Sequence, residues 1–261
     1  MKRKFGTLEW ATHNVNILNG CKNDCKYCYS KEMAIRFKRK NRDNWKFEEK
    51  IKTVNEIKLP KETGTIMFPS SHDLSKKYID EEIEVIKYIL TNGKYLLLVS
   101  KPNLEVIKRI CDTFSEYKDK ILFRFTIGSV FDETLSFWEP YAPRFLERKK
   151  SLIYAYENGY QTSISCEPML DDQIETLIEE VENYITETIW IGKPNYLLRR
   201  LKMNGYDKST EEYIKALKLI EILNDDFIMN LYKRNKENKN IMWKESIMAV
   251  IDRNIIYEKS T

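Results

Sequence analysis

Between residues 10 and 191, short apolar or β-branched runs alternate with stretches patterned as amphipathic helices, and this alternation constrains the fold more than any other feature. The runs cover residues 10–18, 65–68, 95–99, 121–127, 161–165 and 188–191, six expected strands that end at Asn, Pro, Ser, Gly or Lys. Helical periodicity lies between them at Ile83, Ile86, Ile89 and Leu90, at Leu104, Ile107, Ile110, Cys111 and Phe114, and at Ile174, Leu177, Ile178, Val181 and Ile185. Residues 143–158, closed by Gly159, supply a further crossover. Connections of this size join parallel strands, so the reading is α/β, a parallel sheet covered by helices. Six units are fewer than the eight of a full barrel, which leaves an open partial barrel or a doubly wound sheet. Residues 1–224 form this body, and residues 225–261 are expected to pack on it as an extension with apolar helical positions at Ile241, Met242, Met248 and Ile251.

Charge and hydropathy narrow the function classes. The 44 Lys and Arg residues against 40 Asp and Glu give a net charge of +4, too little for capture of nucleic acid by bulk charge, so any polyanion site must be local. The apolar run at 95–99 is far shorter than the roughly 20 residues of a membrane span. No signal-peptide core follows Met1-Lys-Arg-Lys4, and a cytoplasmic protein without a membrane partner is expected. Three of the five cysteines fall within eight residues, unlike a secreted disulfide framework.

Those three, Cys21, Cys25 and Cys28, are spaced C-x3-C-x2-C on a loop rich in Lys, Asn and Asp just after the first expected strand. One loop of thiolates can wrap a single compact metal centre. A 4Fe-4S cluster ordinarily takes four thiolates, so three leave one iron open to a small ligand. The alternative is a structural zinc site that borrows His13 or His72, in a non-catalytic protein that binds nucleic acid. Cys111 falls on the apolar face of its helix and is assigned to the core.

The spacing, with Tyr27 directly before the third cysteine, resembles the C-x3-C-x-aromatic-C signature of the radical S-adenosylmethionine superfamily. The resemblance implies a partial (β/α)6 TIM-like barrel with a 4Fe-4S cluster that binds S-adenosylmethionine at its open iron. It further implies reductive cleavage to a 5'-deoxyadenosyl radical, hydrogen abstraction from a substrate, and a reductant such as flavodoxin or ferredoxin. Asn16 with Gly20-Cys21 through Tyr29, Arg36, Phe68-Pro-Ser-Ser-His-Asp73, Val99-Ser-Lys-Pro102 and Ser165-Cys-Glu-Pro-Met169 are similar to the spore photoproduct lyase-like branch, often labelled DNA repair photolyases. The substrate stays open: repair or modification of nucleic acid comes first by this likeness, with modification of a peptide or small molecule close behind.

Polar groups at the carboxyl ends of the strands are the remaining candidates. The resemblance places Ser71 and His72 at the methionine end of the cofactor; the other reading is a turn and helix cap. Lys101 can neutralise the cofactor carboxylate or stand solvated before Pro102. Ser129 is placed to bond the ribose. Arg124 lies inside a strand, and its burial requires an anionic partner such as a carboxylate. Glu167 is expected to contact cofactor or substrate. Cys166 is either a hydrogen-atom donor to a product radical, a role the branch implies, or a small buried residue. The basic run of residues 36–42, with Trp45, and the later pair Arg199 and Arg200 could grip phosphates and stack a base, or form solvated faces.

Overall fold

The structure, a computed structural model, describes residues 6–258. The Met1-Lys-Arg-Lys4 start and the last residues of the extension lie outside the described residues. Nine strands are present among the described residues: β1 (His13–Asn14), β2 (Leu18–Asn19), β3 (Glu49–Lys50), β4 (Thr65–Phe68), β5 (Tyr95–Ser100), β6 (Ile121–Thr126), β7 (Gln161–Cys166), β8 (Ile189–Ile191) and β9 (Ile241–Trp243). Ten α-helices among the described residues accompany them: α1 (Tyr29–Arg36), α2 (Ile79–Thr91), α3 (Leu104–Thr113), α4 (Asp132–Trp138), α5 (Phe145–Glu157), α6 (Ile174–Val181), α7 (Leu197–Asn204), α8 (Glu211–Ile222), α9 (Asp225–Asn235) and α10 (Glu245–Glu258).

Seven strands form one sheet in the order β1-β4-β5-β6-β7-β8-β9, and every neighbouring pair is parallel. Strands β2 and β3 make a separate antiparallel pair. This is an α/β fold of the partial-barrel kind, its sheet flanked by helices.

The sequence of β6, Ile-Leu-Phe-Arg-Phe-Thr, explains its two faces. Phe123 and Phe125 join Ile164 of β7, Ile107 and Ile110 of α3 and Leu152 of α5 in the main core, each such aromatic contributing about 1.5–3 kcal/mol. Leu122, Arg124 and Thr126 alternate onto the inner face, where Leu122 packs on a smaller cluster of Ala11, Met67 and Leu97. We call that concave inner face the lumen.

The structure differs from the sequence reading at both ends of the sheet. The expected strand at 10–18 is reduced to His13–Asn14 and Leu18–Asn19. Asn16, between them, turns its side chain to β4: its Oδ1 accepts the Ser70 and Ser71 N–H groups at 2.7 and 2.8 Å. The helical pattern expected from Ile241 begins instead as β9, which adds a seventh strand beside β8, with Ile241 opposite Ile189. Helix α10 then buries Ile247, Val250 and Ile251.

Strands β1 and β9 stand at opposite edges. Across the seam Lys244, directly after β9, forms an ion pair with Glu9, and Trp10 packs edge-on against Trp190 of β8 with ring centroids 5.6 Å apart. No helix among the described residues is long and apolar enough to cross a membrane.

Candidate functional site

The cysteine loop is held from several sides. Gly20 opens it with φ +102°, a left-handed conformation that favours glycine. Cys21 N–H donates to the Trp45 carbonyl at 3.1 Å, and Cys28 N–H to the Cys25 carbonyl at 3.1 Å. Cys28 caps α1, its sulfur accepting the Lys31 N–H at 3.4 Å. From α7 the Asn204 amide donates to the carbonyls of Lys26 and Cys28, at 2.9 and 3.1 Å.

This scaffold leaves three unpaired thiols, of which Cys21 and Cys25 are buried and Cys28 partly so. They lie within electrostatic reach of one another. Burial pushes all three thiols above their ordinary values; Asp73 adds to the rise at Cys21, while Lys101 partly offsets it at Cys25. A metal cation reverses this preference, because coordination deprotonates a thiol. Among the described residues, no group of three or more His, Cys, Asp and Glu side chains is arranged to hold a metal ion.

Asp73 organises the surroundings of the loop. Its carboxylate lies 3.7 Å from the Cys21 sulfur, accepts Asn23 Nδ2 at 2.8 Å, Ser100 Oγ at 3.1 Å and the Lys101 N–H at 2.6 Å, and pairs with Lys101 Nζ at 3.6 Å. Burial works against both charges of the pair. Lys101 and these donors nevertheless hold the Asp73 carboxyl below its usual range, and Asp73 holds the Lys101 ammonium well above its own. Lys101 is therefore a partly buried, paired cation near Cys25 and Tyr27, not a solvated one.

Tyr27 is turned to a structural partner: its hydroxyl donates to the buried Glu139, which is ion-paired to the fully buried Arg148. Ser71 is half-buried after β4, tied by its backbone to Asn16. His72 is buried with Nδ1 3.0 Å from the Asp73 carbonyl oxygen, while Nε2 has no hydrogen-bond partner. Burial lowers its pKa to about 4, so the ring is neutral at pH 7. Ser129 is buried and its Oγ accepts the Phe131 N–H at 2.9 Å, closing the turn before α4.

The geometry bears on four expectations. Arg124 is buried, and no carboxylate among the described residues lies within ion-pair distance of it, although the charge of Glu187 acts on it from farther off; it lies between the rings of Trp10 and Trp190. Cys166 shares the strand face of Ile164 and is only 1% exposed in the main core, so the alternation of β7 turns it away from the lumen. Trp45 is 2% exposed, packed with Cys21 and Ala34, and has no face free to stack a base. In the basic run Lys40 is buried, bonds the Phe47 carbonyl and pairs with Glu49, and Arg42 bonds the Met203 carbonyl, while Arg36, Lys38 and Arg39 stand exposed as the solvated-face reading expects.

Arg200 is a site residue that the sequence pointed to only as half of a basic pair. It lies in the fields of Glu32, Cys28 and Glu167, its Nε buried without a hydrogen bond. Glu167 sits beside Lys244 at 3.5 Å, and Gly192 permits the approach, since a Cβ there would meet both side chains at 3.1 Å. Burial raises the Glu167 pKa to about 7 despite Lys244. A carboxyl whose folded pKa exceeds its unfolded value of about 4.3 loses stability as pH rises between the two. Urea unfolding of Glu167→Gln is therefore expected to lack a decline that the parent shows from pH 5 to 7.5; parallel profiles would refute this.

No protein-family model matches the chain, and no curated protein does. Among solved structures the fold is similar to Streptococcus suis SuiB. SuiB bound to S-adenosylmethionine aligns with a TM-score of 0.54 and 13% identity over 89% of this chain and 50% of SuiB. SuiB bound to the precursor peptide SuiA gives 0.56 and 12% over 92% and 50%. The chain thus spans about half the length of SuiB, and at this identity the likeness is one of fold.

Proposed function

We propose that the chain is a radical S-adenosylmethionine enzyme whose Cys21, Cys25 and Cys28 hold a 4Fe-4S cluster. The observation that carries this reading is three unpaired thiols on one rigidly held loop after the first strand of a parallel partial barrel. A cubane presents separate irons to its ligands, so its three thiolates need not converge on one point as the ligands of a single ion do. The donor set fits: three thiolates and no fourth leave one iron free. Similarity to SuiB, in a structure bound to S-adenosylmethionine, supports the same cofactor here. When bound, the cluster and S-adenosylmethionine supply a reducing electron and a carbon-centred radical.

The chain's own residues would hold and shield these groups. Lys101, kept protonated by Asp73, offers a cation to the cofactor carboxylate, and Ser71 and Arg200 offer hydrogen bonds near the loop. Neutral His72 helps to shape the Asp73 turn. Substrate would occupy the lumen beside Glu167, and a flavodoxin- or ferredoxin-like reductant would serve the loop from outside.

The test is electron paramagnetic resonance of the anaerobically reconstituted, reduced protein. A cluster signal that S-adenosylmethionine perturbs is expected, with iron content falling severalfold in Cys25→Ala. A colourless protein that binds one zinc and gives no cluster signal would replace this reading with the metal-stabilised binding protein.

A further inference from the structure

The lumen contains hydrogen-bond donors that the protein does not satisfy. Arg124 is 5% exposed, and its one protein hydrogen bond runs from Nε to Ser163 Oγ at 2.9 Å. Its terminal amino groups have no partner among the described residues. The guanidinium lies 4.7 Å from the Trp10 ring and 5.4 Å from the Trp190 ring, and both indole N–H groups are also buried without a partner. Lys244 stands over the same two rings at 4.5 and 5.5 Å, but Glu9, Glu167 and Glu245 already neutralise it. One cation of the cluster is held in ion pairs, and the other has only the longer-range field of Glu187.

Burying a guanidinium with no carboxylate in ion-pair contact is costly, and the longer-range field of Glu187 and cation–π contact with two indoles offset only part of that cost. Burial lowers the Arg124 pKa to about 10, which still leaves it charged at neutral pH. The site is reachable, since Val99 and Trp190 on the inner face are half-buried and Met242, beside Trp190, is exposed. An oxyanion is the complement of a donor-only site, and a planar guanidinium can bind one through two parallel hydrogen bonds.

We infer that Arg124, with the indole N–H groups of Trp10 and Trp190, is the lumen subsite that binds an oxyanion of the substrate, a carboxylate or a phosphate. This rests on the reading of the lumen as the substrate chamber, and it deepens that reading by naming the substrate's chemical class.

Thermal unfolding of the full chain tests it, in sodium acetate, sodium phosphate and sodium chloride at matched ionic strength. The parent is expected to gain about 2–4 °C in Tm, saturably, in acetate or phosphate over chloride. Which anion acts identifies carboxylate or phosphate. Arg124→Met, which removes, with little loss of volume, a buried charge that no ion pair holds, is expected to melt no lower than the parent in chloride and to lose the anion response. Trp190→Phe, which keeps a ring and removes one N–H, should weaken that response. The inference is overturned if the parent shows no saturable response or if Arg124→Met retains it. It is also overturned if Arg124→Met melts several degrees lower in chloride, which would make the guanidinium a structural staple between two indoles. Iron content and the cluster signal report separately on the cysteine loop, so failure of one reading is distinguishable from failure of the other.

Discussion

Arg148→Met is expected to destabilise the protein by about 3–5 kcal/mol, because it leaves Glu139 buried without its cation. Arg148 also donates to the carbonyls of Pro143 and Thr126, at 2.7 and 3.1 Å, so it ties α5 to the end of β6 and to the connection before it. Burial opposes the Arg148 charge, and Glu139 more than offsets it, holding the guanidinium above its ordinary pKa. Loss of this partner also reaches the cysteine loop, since Glu139 receives the Tyr27 hydroxyl and Lys26 N–H donates to the adjacent Trp138 carbonyl at 2.9 Å. Urea unfolding checks the magnitude. The double variant Glu139→Gln, Arg148→Met should recover a large part of the loss, since neither charge then remains buried alone. Equal losses in the single and double variants would show that packing, not charge, dominates.

The second large effect is expected from Gly20→Ala. A Cβ there would lie 2.5 Å from the Phe47 carbonyl oxygen and 2.7 Å from that of Trp45, both backbone atoms that cannot swing aside. The residue also has φ +102°, so the substitution is strained even without the contact. Together these should cost roughly 2–3 kcal/mol or more and displace Cys21, whose N–H bonds the Trp45 carbonyl. Iron content after reconstitution should fall together with Tm. Gly159→Ala is the control: it has positive φ, +78°, but no near contact beyond Lys118 at 3.8 Å, and should lower Tm less without affecting iron.

The central part of the fold was legible because β4 to β8 are short apolar or β-branched runs between amphipathic helices, and β4 spans the residues the pattern marked. The edges were not. His13 and Asn14 are exposed polar residues whose strand exists only by pairing with β4, and β9 is three residues long in a Lys/Asn-rich region. Periodicity cannot register an element that depends on a distant neighbour. The cysteine loop was readable because spacing carries its chemistry. Glu139 and Arg148 were invisible for the opposite reason: charged residues in helical patterns read as solvated faces, and only the three-dimensional arrangement buries them together. Arg124 stood between these cases, its burial legible from its strand and its aromatic surroundings supplied by Trp10, far away in the chain.

That distance bears on the order in which the molecule assembles. Glu9 and Lys244, which join across the seam, are 235 positions apart, so this tie has the long loop closure that slows folding. The sheet from β4 to β8 can zip up through neighbouring βα units, but the Trp10 indole has no Lys244 beneath it until β9 has been added. During synthesis the amino-terminal segment therefore waits with its aromatic ring exposed, and the chamber acquires its wall last. A pulse-labelled hydrogen-exchange experiment should find amides of β5 and β6 protected early and the Trp190 and Lys244 region protected in the final phase.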